Sequence, residues 1–108
     1  MTVIDEFEAD LEVRGEELWV LPIGDLDVAA APELGETLSL ALSTESPKIV
    51  IDLRGLELMD STGLRALLEA QGSEGGERIS FVAGNEHIQG VFRLSGVLDS
   101  LRFRAADG

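Results

Sequence analysis

The sequence predicts a single α/β domain on a mostly parallel sheet of four to five strands, with successive βα units. Segments of strand character alternate with segments of helical period from residue 48 onward. The run Ile49-Val50-Ile51 stacks three β-branched apolar residues, as strands buried on both faces of a parallel sheet do. A chain of 108 residues is the usual size of one domain, so one domain over 1–108 is expected.

The elements follow in order. Phe7 to Val13 alternates apolar and acidic residues, the period-two pattern of a strand with one wet face. Arg14-Gly15-Glu16 reads as a turn and Leu18 to Ile23 as a second strand, expected to end or bulge at Pro22 because proline donates no ladder bond. Gly24-Asp25-Leu26-Asp27 is expected as a loop into a helix running to about Leu42. Pro32 suits that helix's first turn, and Leu34, Leu38, Ala41 and Leu42 make its apolar stripe. Lys48 to Leu53 is the next strand, and Arg54 to Met59 a connector. A helix follows from about Ser61 to Ala70 with Leu64, Leu67 and Leu68 inward, ended by the glycine-rich turn 72–76. Arg78 to Ala83 is a further strand. Asn85 is the expected N-cap of a helix burying Ile88, Val91 and Phe92, with Gly96 at C′. Leu101 to Ala105 closes the order as an edge strand.

Net charge is −13, concentrated in residues 1–36, which hold eleven acids against one base, Arg14. Such a surface repels phosphate backbones and anionic lipid, so neither direct nucleic-acid binding nor membrane insertion is expected. The absence of cysteine excludes disulfide and thiolate chemistry and fits a cytoplasmic protein. Met1-Thr2-Val3-Ile4-Asp5-Glu6 has no basic stretch and no long apolar run, so no signal peptide is expected.

The segment most informative for chemistry is Met59 to Leu64, at a strand-to-helix junction. Either Asp60 or Ser61 is suited to cap the free N–H groups of the helix that follows. An exposed serine at such a position is also suited to carry a phosphate, which meets N–H donors and the positive end of the helix dipole. An apolar strand ending in Asp, a short connector and Asp60-Ser61-Thr62-Gly63-Leu64 resemble the signature of STAS domains of the anti-sigma factor antagonist type. Gly24-Asp25-Leu26-Asp27 followed by Ala31-Pro32-Glu33-Leu34, and Val91-Phe92-Arg93-Leu94-Ser95-Gly96, resemble that family's first loop and last helix. The resemblance spans about residues 7–105. It implies a non-enzymatic module whose phosphoacceptor is Ser61, flanked at the partner-binding site by Asp25, Asp27, Asp60, Thr62 and Gly63. It further implies an anti-sigma factor with serine kinase activity as partner, captured while Ser61 is unphosphorylated. The resemblance leaves self-association open. A STAS subunit serving a membrane transporter of lipids or anions is the alternative that the same fold allows.

Other chemistries lack their parts. Met59 stands where a hydrolase nucleophile elbow has its first glycine. The only histidine, His87, is expected as a solvated residue in the first turn of a surface helix, without a serine or a second ligand to serve. No P-loop or dinucleotide-binding glycine pattern occurs, and neither a metal nor a cofactor is expected. Asp25 and Asp27 are spaced for acid/base work, but such acids more often end a strand and begin a helix.

Overall fold

In the computed structural model, which describes residues 7–104, the first two strands form a hairpin. β1 (Glu8–Arg14) pairs antiparallel with β2 (Glu17–Leu26), with Arg14 opposite Glu17. The chain continues through α1 (Ala31–Leu42), β3 (Lys48–Asp52), β4 (Leu56–Met59), α2 (Ser61–Gly72), β5 (Ile79–Val82), α3 (Glu86–Leu94) and β6 (Phe103–Arg104). The six-stranded sheet runs β1-β2-β3-β5-β6, with β4 also paired to β2; every pairing except β1–β2 is parallel. The mostly parallel α/β architecture predicted from the sequence is thus observed. The expected extension of the last strand to Ala105 lies outside the described residues.

Six strands stand where four to five were expected, and the addition is β4. The segment Arg54–Met59, expected as a connector, makes one 3-10 turn over Leu53–Gly55 and then a strand. The partner of β4 is the last part of β2, Gly24–Leu26, expected as a loop. β2 therefore serves two parallel neighbours in turn, β3 over Glu17–Val20 and β4 over Gly24–Leu26. This division also accounts for Pro22, which lies inside β2 rather than ending it. The ring falls in the stretch where β2 has left β3 and not yet met β4, so no ladder bond is lost on that side. The irregularity comes later, between Gly24 and Asp25.

Alternate residues of the strands make two clusters. Leu18, Val20, Ile49, Ile51, Ile79 and Phe81 join Leu34 and Leu38 of α1, Leu64 and Leu67 of α2, and Ile88 and Phe92 of α3 in one core. Burying each such side chain is worth about 1.5–3 kcal/mol. On the other face Trp19, Val50 and Val82 form a smaller cluster. It is roofed by side chains: the Arg14 guanidinium lies 4.0 Å from the Trp19 ring centroid and that of Arg104 5.6 Å. That cover is why β3 is buried on both faces, as its β-branched run predicts. Asn85 caps α3 by accepting from the Ile88 N–H at 2.9 Å. Gly96, at a φ of 77°, closes that helix in a left-handed turn, with Val97 N–H donating to Phe92 O and Gly96 N–H to Arg93 O. Among the described residues no helix is long and apolar enough to cross a membrane.

Candidate functional site

The C-terminal ends of β2 and β4 lie side by side, with Asp25 opposite Leu58 and Leu26 opposite Met59. The open end of parallel strands is where α/β folds commonly gather functional groups. Asp27 follows β2 directly, and its Oδ1 accepts from the Ala29 and Ala30 N–H groups at 3.1 and 3.0 Å. It therefore builds the turn into α1, a local bonding pattern typical of aspartate. Asp60 follows β4, and its backbone N–H donates to Leu26 O at 3.2 Å.

Of the two residues suited to cap α2, the structure uses Asp60. Its Oδ1 accepts from the Thr62 and Gly63 N–H groups at 3.0 and 3.1 Å, with extended backbone at the cap. Ser61 is consequently the first helical residue and is exposed. Among the described residues no side-chain hydrogen bond involves its hydroxyl, so that oxygen stands at a helix N-terminus without a structural task.

The remaining site residues divide. Asp25, Asp27 and Asp60 line one hollow of about 290 Å³ together with Leu58, Met59 and His87. A second and larger hollow, about 610 Å³, shares Asp25 and Asp27 and adds Glu33 and Glu57. Thr62 faces elsewhere, into the groove between α1 and α2 beside Val28, Arg65 and Ala66. Gly63 is buried rather than displayed: a Cβ there would stand 2.5 Å from Leu26 Cγ and 2.7 Å from Leu26 O. Its place in the motif is explained by the close approach of α2 to β2. Among the described residues no group of three or more side chains is arranged to hold a metal ion.

His87 keeps the solvated first-turn position expected from the sequence and adds a bond that the sequence does not announce. It is exposed and in the first turn of α3, but its Nε2 accepts from the Met59 N–H at 3.3 Å. Asn85 Nδ2 donates to Leu56 O and Glu57 O, each at 3.3 Å. No local sequence signal announces these bonds, which join positions 28 or 29 residues apart.

Asp52 closes β3 with a bidentate pair to Arg54, at 2.9 Å for both Nε and Nη2. Burial by itself raises that carboxyl, but the hydrogen bonds from the Arg54 side chain and backbone outweigh it and hold Asp52 below the usual carboxylate range. Glu17 is likewise held low, by bonds from the Trp19 indole and from Arg104.

A family model described as "Mlab, STAS domain" matches residues 11–102. Among solved structures, an anti-sigma factor antagonist from Mycobacterium paratuberculosis superposes with a TM-score of 0.81 at 24% identity, over 95% of this chain and 89% of that one. The anti-sigma factor antagonist SpoIIAA in its unphosphorylated form gives 0.70 at 22% identity, over 94% and 88%. A sulfate transporter family protein from Wolinella succinogenes gives 0.67 at 17% identity, over 89% and 83%. At these identities the likeness is one of fold. No curated protein sequence matches the chain significantly.

Proposed function

Because the chain belongs to the STAS domain family, we propose that it is an anti-sigma factor antagonist switched by phosphorylation of Ser61. Unphosphorylated, it binds an anti-sigma factor with serine kinase activity through the surface around Ser61, in the cytoplasm. That capture frees a sigma factor and so regulates transcription. The protein acts by binding and catalyses nothing itself.

One observation carries the reading: Ser61 is the exposed first residue of α2 while Asp60 supplies the cap. A group transferred to the serine oxygen displaces no bond that holds the fold. The dianion then sits at the positive end of a helix, close in sequence to the Asp60 carboxylate, on an exposed surface that a partner would have to cover. Desolvating it against a partner is costly, and the partner is released. Asp25, Asp27 and Asp60 share one hollow, Asp60 precedes the acceptor in the chain, and Thr62 borders the groove between α1 and α2. Support from the comparisons is the shared fold of two anti-sigma factor antagonists.

A STAS subunit serving a membrane transporter is the second reading, favoured by the shared fold of a sulfate transporter family protein. Affinity capture from the source cell with wild-type and Ser61→Ala protein decides between the two. The antagonist reading expects a kinase-type anti-sigma factor that, given ATP, phosphorylates Ser61 and not Thr62. Recovery of a transporter permease, or phosphate mapped to Thr62, overturns it.

A further inference from the structure

β4 has β2 on one side only, and its other side meets side chains of α3 instead of a strand. Asn85 donates to Leu56 O and Glu57 O, and His87 accepts from Met59 N–H. Two side chains thus do for β4 what a neighbouring strand does for β2. Their positions are set by the start of α3, where Asn85 is the N-cap and Ile88 and Phe92 are anchored in the core. The Met59–Asp60 linkage is consequently held from both directions: Met59 N–H by His87 Nε2, and Asp60 N–H by Leu26 O. Asp60 is in turn the residue that caps α2 and precedes Ser61.

We propose that His87 is a positioning residue for the phosphoacceptor: its neutral imidazole clamps β4 at Met59 and so fixes where α2 begins and Ser61 stands. An acceptor at Nε2 requires that this nitrogen carry no proton. Protonation turns it into a donor, which abolishes the bond to Met59 N–H. The charged groups sharing the hollow with the ring are Asp25 from β2, Asp27 from the turn after it and Asp60 from the β4–α2 junction, with Glu86 beside it on α3; Leu58 and Met59 are its uncharged wall. Phosphate acceptance at Ser61 therefore depends on pH through a residue that never touches the phosphate.

The inference rests on the proposed role of Ser61, and its test separates the two. The first measurement needs no kinase: amide-exchange protection of Met59 and Asp60 in the isotope-labelled full chain, for wild type, His87→Gln and His87→Phe. Conditions are about pH 5 and about pH 8, on either side of the range in which imidazoles titrate. Glutamine keeps a neutral acceptor and phenylalanine has none. Wild type should lose protection at Met59 roughly three- to tenfold at the lower pH, the range that one net hydrogen bond corresponds to. His87→Phe should show that loss at both pH values and His87→Gln at neither. The second measurement is the rate of Ser61 phosphorylation by the captured kinase with ATP. It should fall by a similar factor in His87→Phe and be restored in His87→Gln, whose rate varies less with pH than that of wild type. Equal Met59 protection in all three proteins overturns the clamp. Altered protection with equal phosphorylation rates overturns the positioning role. Wild-type protein that no kinase phosphorylates counts against the role of Ser61 and leaves the exchange result to judge the clamp.

Discussion

Gly63→Ala tests how α2 is seated on the sheet. The added Cβ would stand 2.5 and 2.9 Å from Leu26 Cγ and Cδ2 and 2.7 Å from Leu26 O. Leu26 is fully buried, so its side chain has no open space to enter, and the carbonyl cannot rotate away at all. That carbonyl also accepts the Asp60 N–H at 3.2 Å. The helix must therefore lift, straining the bond that ties Asp60 to β2. Overpacking of this kind costs about 1–3 kcal/mol and a weakened hydrogen bond about 0.5–1.5 kcal/mol. Alanine's better helix propensity returns about 1 kcal/mol. The net expectation is a loss of about 0.5–3.5 kcal/mol, or a Tm lower by roughly 2–28 °C in a domain of this size. Urea denaturation monitored by Trp19 fluorescence measures it directly. Leu26→Ala in the same chain should relieve the side-chain contacts and leave the carbonyl contact, so the double variant should cost less than the two single losses added. A Gly63→Ala protein as stable as wild type, or more stable, refutes the close-approach argument.

Other substitutions probe the cap, the switch and the acid limb. Asp60→Ala should cost about 0.5–2 kcal/mol, because two N–H groups lose their acceptor, whereas Ser61→Ala should stay within about 0.5 kcal/mol of wild type. Equal losses in denaturant titrations would mean that Ser61 caps the helix. Phosphorylation of Ser61 should weaken partner binding roughly thirtyfold to several-thousandfold, from about 2–5 kcal/mol, while thermal melts stay cooperative. Tight binding by the phosphoprotein in calorimetric titration would remove the switch. Asp52 is held low in the folded chain, so its contribution to stability is present above the unfolded carboxylate value, near 3.9. That contribution is lost as pH falls through the lower folded value. Asp52→Asn should make stability fall less steeply below about pH 4, and an unchanged acid limb would contradict the Arg54 pairing.

What was legible in the sequence was what neighbours along the chain decide. The period-two run of β1, the stripes of α1 and α2, the Asn85 cap and the Gly96 turn involve residues two to five positions apart, and each is present, except that the alternation of β1 stops at Leu11 and Val13 is 75% exposed. The junction at Asp60 and Ser61 was legible for the same reason, since a cap reaches only two or three residues forward. It remained for the structure to choose Asp60 as the capping residue. Chain-distant contacts decided the rest. Leu56–Met59 has two exposed residues between two buried ones, an i, i+3 spacing closer to helix than to strand alternation, and becomes a strand because β2, some thirty residues upstream, presents an unpaired end to it. Pro22 is tolerated because β2 changes partners around it. His87 acquires a hydrogen bond only once α3 lies against β4. Gly63 is required to be small only because Leu26 O lies beneath it. Composition and short-range pattern specify which segments become helices and strands, since those preferences are set by each residue and its nearest turn. Which backbone edge is left open, and which side chain closes it, depends on the packing of elements far apart in the chain, and at β4 that packing fixed the frame on which Ser61 stands.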